Sequence, residues 1–300
     1  MRLPNGQSVG TKSNRVWRIT PSVHVESILR ASRSEATLWF AHGECEELLA
    51  NRTASQHAAF LLPHLKPRMQ LLDCGCGPGT ITVGLANAVA PALAVGIDLS
   101  GASFYRGDAL ANRLGICNIT FAVADVYELP FCTSRFDVVF ARNVFQHLTQ
   151  PLRAANELRR VLKPNGILAL SDDDWDSLVF TPSSPILRQS IVLFRKLWRH
   201  RFGKPTFARH HRRLLRDCGF QRVEATASVE FYGTRLRTEQ WGRRMAKLLL
   251  DGSFRDAVLK QRWIDGACLT HMADEWSAWG ERPDAFWSMT ACEAVGWNDD

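Results

Sequence analysis

The chain has no Cys-x-x-Cys pair among its eight cysteines (45, 74, 76, 117, 132, 218, 268 and 292), no apolar run able to cross a membrane, and no internal repeat or low-complexity block. Each absence removes a class of protein. Without compact ligand spacing a zinc cluster has no scaffold, and thiols scattered along apolar stretches pack as small hydrophobes in a reducing compartment. No metal is therefore expected. Residues 1–20 are polar and basic and lack the apolar core of a secretory signal, so they are expected to form a tail and the chain to be cytoplasmic. The most apolar stretch, 81–97, contains Asn87 and Pro91 and stops at Asp98, which suits a buried helix leading into a strand and not a membrane span.

Acids are also missing from one place. Between Arg195 and Arg216 stand nine lysines and arginines and three histidines without a single Asp or Glu, so the formal charge of +7 is unevenly spread. Either an anionic partner, nucleic acid or small substrate, settles on this segment, or it is a solvated helix face. What is present supports an ordinary globular protein, because 300 residues at 46% apolar content suffice for one substantial core with elaborations.

The most informative stretch is Leu71-Leu72-Asp73-Cys74-Gly75-Cys76-Gly77-Pro78-Gly79-Thr80, a short apolar run, a glycine-spaced turn, and the start of a helical pattern. Gly75, Gly77 and Gly79 lack the Cβ atoms that keep a ligand from the backbone, and the helix that follows points its N-terminus at the turn. Asp98 ends the next apolar run about twenty residues on, where a doubly wound fold puts the acid that grips a ribose. A dinucleotide fingerprint needs G-x-G-x-x-G; here the glycines fall as G-x-G-x-G, with Thr80 in the last place.

This pattern, with Asp98 and then Asp125, resembles the class I S-adenosylmethionine-dependent methyltransferases. Val95-Gly96-Ile97-Asp98-Leu99-Ser100, Ala124-Asp125-Val126-Tyr127-Glu128-Leu129-Pro130-Phe131, Phe136-Asp137-Val138-Val139-Phe140-Ala141-Arg142-Asn143 and Leu162-Lys163-Pro164-Asn165-Gly166 extend the likeness over roughly residues 55–175. The nearest branch is that of the ubiquinone and menaquinone biosynthesis enzymes. The resemblance implies a Rossmann-like α/β fold, doubly wound, with a mostly parallel seven-stranded sheet, N-terminal lid helices and helical insertions before the last strand. It also implies S-adenosylmethionine as cofactor, with S-adenosylhomocysteine as product.

Strand-type runs fall at 70–74, 93–98, 119–123, 136–141 and 167–171, and helical spacing at 80–88, 101–114 and 152–161; this rhythm demands a parallel sheet covered on both faces. Three parts follow: 1–66 as tail and lid helices, the helices at 22–62 gating the cofactor or merely packing; 67–175 as the cofactor-binding core; 176–300 completing the sheet. In the last part 186–201 and 207–218 are helical, 221–232 alternates as a strand, 238–281 is helical, and 285–297 is expected to be the final strand, antiparallel beside 221–232.

For the site, Asp98 is expected to accept from both ribose hydroxyls, a charge-assisted contact worth about 1.5–3 kcal/mol, with a helix N-cap as its alternative. By resemblance Asp125 accepts from the adenine amino group while Leu99 and Val126 sandwich the ring; capping is again the alternative. Asp73 either holds the turn or reaches the ligand's ammonium. Ala141 and Arg142 follow the central strand, where open α/β sheets bind ligands, so their backbone is expected beside the methionine end; Arg142 either contacts the carboxylate or is a surface residue. Methyl transfer is an in-line displacement on an activated carbon, so positioning and desolvation supply most of the acceleration and a base is needed only if the acceptor loses a proton. His147 is the candidate base, a structural histidine its alternative. Asp172-Asp173-Asp174 and Trp175 either orient substrate or form a solvated turn.

Trp175, Trp198, Trp241, Trp263, Trp276 and Trp279 lie in the half that would surround the acceptor and point to a small apolar or aromatic metabolite methylated at O, N or C, although core packing alone also accounts for tryptophans. An RNA or DNA methyltransferase using the basic 195–216 segment stays open as an alternative. Against it, the turn after the central strand is Ala141-Arg142-Asn143-Val144 and not Asn/Asp-Pro-Pro-aromatic, and no appended RNA-binding module is evident. A non-catalytic relative that binds the cofactor is the third reading.

Overall fold

Period-two alternation decides how the central strands are used. In the computed structural model, which describes residues 49–201 and 203–299, Leu71, Val138, Phe140 and Ala169 pack into one apolar layer, while their neighbours Leu72, Val139, Ala141, Leu168 and Leu170 pack into the layer on the other side. Strands with both faces buried need helices on both sides. α1 (Ala54–His57) and α2 (Thr80–Val89) cover the first layer through Ala54, Leu85, Ala86 and Val89. α4 (Pro151–Val161) and α6 (His211–Asp217) cover the second through Ala154, Leu158, Leu214 and Leu215. α3 (Phe104–Leu114) ends on the left-handed Gly115.

The strands are β1 (Leu71–Cys74), β2 (Ala94–Asp98), β3 (Ile119–Val123), β4 (Phe136–Arg142), β5 (Leu162–Asp173), β6 (Val179–Thr181), β7 (Arg222–Tyr232) and β8 (Phe286–Trp297). The first five lie parallel in the order β3-β2-β1-β4-β5. β8 runs antiparallel between β5 and β7, pairing Ala291 to Trp297 with β5 on one edge and Trp287 to Trp297 with β7 on the other. This is the placement expected for the last segment. Two details differ from expectation. A three-residue eighth strand, β6, pairs with Phe286 to Ser288 and is too short to leave a periodic signal. The Lys163 to Gly166 turn lies inside β5 as an irregularity between the pairs Phe136–Leu162 and Val138–Ile167, with Asn165 left-handed at φ +58°.

The expected helical stretch 238–281 is three helices, α7 (Arg235–Leu250), α8 (Gly252–Lys260) and α9 (Gly266–Glu281). With α5 (Pro185–Arg201) they bury a third apolar cluster that includes Trp198, Trp241, Trp276, Trp279 and Trp287. Most of the expected lid, residues 22–48, lies outside the described residues. No helix among the described residues is long and apolar enough to cross a membrane.

Strand order reverses between β1 and β4. At such a switch point the chains leaving the two strand ends diverge and open a crevice at the carboxyl edge of the sheet, and the glycine turn and Ala141-Arg142-Asn143 both lie there.

Candidate active site

The turn after β1 is tied to β2, since Gly75 and Cys76 donate their N–H groups to the Ile97 carbonyl at 2.7 and 2.9 Å. Gly75, Gly77 and Gly79 all have positive φ (+76°, +52° and +77°), which explains the residue type at each. Their free space differs. A Cβ on Gly75 would overlap Val144 and one on Gly79 would overlap the ring of Phe121, whereas a Cβ on Gly77 meets nothing within 4 Å. The missing Cβ atoms at Gly75 and Gly79 thus also leave room for the protein's own side chains, and Gly77 faces open space.

Asp73 is buried in β1 and accepts from Thr82 Oγ1 at 2.6 Å, so it holds the turn to α2; burial pushes its carboxyl up to about 7. Asp98, at the tip of β2, accepts from Gly77 N–H at 2.9 Å and Ser100 N–H at 3.2 Å, and burial raises it too. Each of its oxygens keeps a further lone pair for a hydroxyl. The half-buried acid therefore shapes the turn at the strand end, and it caps no helix. Asp125 accepts from Tyr127 N–H at 2.9 Å, a local turn of its own. Leu99 is half-buried, while Val126 is buried in the apolar layer that includes Ile97 and Leu129. Cys74 and Cys76 are buried, and burial pushes both thiols well above their ordinary range.

On the other side of the crevice Ala141 is buried and Arg142 is not the surface arginine that was one expectation. Its guanidinium is buried, giving Nη1 to Ser171 Oγ at 2.6 Å and Nη2 to Asp173 at 3.3 Å and Glu230 at 3.4 Å. Only Nε, buried without a hydrogen-bond partner, is uncommitted. Arg52 joins the same carboxylates, 3.2 Å from Glu230 and 3.7 Å from Asp173, and Tyr232 donates to Glu230 at 2.6 Å. Burial alone would raise Glu230, but Arg52, with His57 and Arg142, holds it well below the usual carboxylate range. This cluster was not legible in the sequence, because Arg52, Arg142, Asp173 and Glu230 come from four separate segments and a lone acid on an alternating strand carries no sign of its partner.

The Asp triplet is no solvated turn; all three residues are buried. Asp172 accepts from Val144 N–H at 2.8 Å and Gln146 N–H at 3.0 Å, Asp173 pairs with Arg142 and Asn143, and Asp174 takes a bidentate contact from Arg209 at 2.6–2.9 Å. Trp175 is buried against Phe194 and Trp198, with centroids 4.6 and 5.5 Å apart. His147 stacks on Trp198 at 4.7 Å, and burial lowers its pKa to about 4. The basic segment packs its inner side on the turn after β4, through the Trp198 Nε1–Gln146 carbonyl bond (3.1 Å) and the Phe145–Phe207 contact, and turns Arg199, Lys204, Arg212 and Arg216 outward.

S-adenosylmethionine fits what is present: open space at Gly77, spare acceptor capacity on Asp98, and an orphaned buried donor on Arg142. Residues 72–170 match the family described as a methyltransferase domain. The chain is 30% identical over 272 residues to the probable methyltransferase ltbC of Aspergillus luteorubrus, covering 84% of this chain and 93% of that one. Demethylmenaquinone methyltransferase of Staphylococcus aureus is 31% identical over 134 residues, 44% of this chain and 52% of that one. Among solved structures, the YcgJ protein of Bacillus subtilis superposes with a TM-score of 0.53 at 16% identity, covering 81% of this chain and 97% of that one, a likeness of fold. With a relative similar over most of both lengths and a methyltransferase domain across the crevice strands, this chain belongs to the class I methyltransferases, enzymes whose cofactor is S-adenosylmethionine.

Proposed function

We propose that the enzyme methylates a small apolar or aromatic metabolite, holding the cofactor in the crevice between β1 and β4. In this reading Asp98 takes the ribose hydroxyls, Asp125 the adenine amino group with Leu99 and Val126 on the ring, and Gly75, Gly77 and Gly79 let the backbone approach. Asp73 stays a brace on α2, and the backbone of Ala141 and Arg142, with Arg142 Nε as donor, meets the methionine end. The cofactor's sulfonium supplies an activated methyl group. The chain's task is then to bind, orient and exclude water.

One observation carries the acceptor class. β5 leads from the ion-paired Asp173 through Asp174 to Trp175, whose ring packs on Phe194 and Trp198 in the large aromatic cluster, so the chain leaving the crevice rim enters apolar surroundings. We assign any proton abstraction to His147. Burial, which lowers its pKa to about 4, keeps it unprotonated at neutral pH, as a base must be, and makes it a weak base, able to serve only an acceptor whose own proton is strongly acidic.

The test is transfer of tritium from methyl-labelled S-adenosylmethionine to a panel of phenols, naphthols and aliphatic acceptors beside bulk tRNA. Label in an apolar small molecule supports the reading. Label in tRNA alone, with binding that weakens steeply as salt rises, overturns it in favour of the nucleic-acid reading, which rests on the outward cations Arg199, Lys204, Arg212 and Arg216.

A further inference from the structure

We propose that Asn143 is a positioning residue for the reaction: pinned by Asp173 in a left-handed conformation, it sets the turn after β4 against the methionine end of the cofactor. The inference rests on the cofactor lying at the β1/β4 switch point. Asn143 has φ +56° without being glycine, a conformation that costs about 1–2 kcal/mol and persists where the surroundings impose it. Here they do so three times. Asn143 Nδ2 donates to Asp173 Oδ2 at 2.9 Å, Asp173 N–H donates back to Asn143 Oδ1 at 3.0 Å, and Asn143 N–H donates to the Ser171 carbonyl at 2.8 Å.

Asp173 is not a loose partner. It is buried and paired with both Arg142 and Arg52, so the amide is locked to a fixed point at the end of β5. The consequence appears one residue later. Val144 drops over Gly75, filling the space that a Cβ there would need, and its N–H, with that of Gln146, is received by Asp172. The Asn143 side-chain amide is therefore one of the ties, with the Ser171 carbonyl and Asp172, that set the height of the Ala141-to-Val144 backbone against the glycine turn. Other left-handed non-glycine residues, such as Arg68 and Arg262, show no hydrogen bond of this reciprocal kind among the described residues.

The test compares two ligands by calorimetry: S-adenosylhomocysteine, which carries the amino-acid part, and 5′-methylthioadenosine, which lacks it. Asn143→Asp keeps a residue that tolerates the left-handed region but sets a carboxylate against Asp173. It is expected to weaken S-adenosylhomocysteine at least about tenfold and methylthioadenosine less than about twofold. Equal weakening of both ligands or unchanged S-adenosylhomocysteine affinity in N143D overturns the proposal. Should N143D not fold, Asn143→Gly retains the backbone conformation and loses the side-chain bonds. An S-adenosylhomocysteine-specific loss of about threefold or more supports the role, and parental affinity overturns it. A parent protein that binds neither ligand removes the cofactor placement itself, and this inference with it.

Discussion

Asp73 and Asp98 are both aspartates at the ends of neighbouring parallel strands, yet their surroundings give them different work. Asp73 faces inward to Thr82, and Asp98 stands at the crevice with two backbone N–H groups already bound. Asp98→Ala is expected to weaken S-adenosylhomocysteine at least about tenfold by calorimetry, from the lost ribose contacts, with the fold kept. Asp73 makes a pH prediction. Its folded pKa of about 7 lies above the ordinary 3.8, so the folded state binds the proton more tightly, and the stability this gives is complete below about pH 4 and lost as pH rises to 7. Asp73→Asn keeps an acceptor for Thr82 and removes the buried charge. Thermal melts should therefore show the variant about 2 °C or more above the parent at pH 8 and no gain at pH 5.

At the scale of the element, the glycine turn separates what a motif says from what a structure adds. The spacing Gly75-x-Gly77-x-Gly79 was enough to locate the turn, because only glycine accepts three left-handed positions so close together. It did not say which glycine has open space above it, since that depends on Val144, after β4, and Phe121, on β3. Gly79→Ala should lower the melting temperature through overlap with Phe121, and adding Phe121→Leu should recover part of the loss. Gly77→Ala, facing open space, should cost only the backbone term of about 1–2 kcal/mol while reducing S-adenosylhomocysteine affinity. The same limit applies to His147. Its place soon after the central strand was legible, but its stacking on Trp198 and its low pKa come from α5, a helix far along the chain.

At the scale of the whole molecule, two features hold distant parts together. Glu230 on the edge strand β7 fastens Arg52 of the segment before β1 and Arg142 of β4 in a buried cluster. Glu230→Ala leaves two buried guanidinium groups sharing Asp173 and is expected to cost about 3–5 kcal/mol in denaturant unfolding. Because the carboxyl is held below its ordinary pKa, the contribution is full above about pH 4.5 and fades as pH falls through the lowered folded value. Among the described residues, β8 is the strand that joins β5 to β7. Removing residues 286–300 deletes its pairing with β5, β6 and β7 together, so the truncated chain is expected to yield no soluble folded protein; a cooperative thermal transition in that variant would refute the central role given to β8.

The sequence by itself determined the parallel α/β sheet, the position of the glycine turn, the acids at the ends of β2 and after β3, and the return of the last strand. All of these depend on local periodicity or on residue types that one backbone conformation requires. Tertiary structure alone decided that Gly75 and Gly79 also leave room for Val144 and Phe121, that the Asp triplet is buried with each acid held by different partners, and that Arg52, Arg142, Asp173 and Glu230 meet. Those outcomes depend on contacts between segments as much as 178 residues apart, and no local pattern records which buried charge will find which partner.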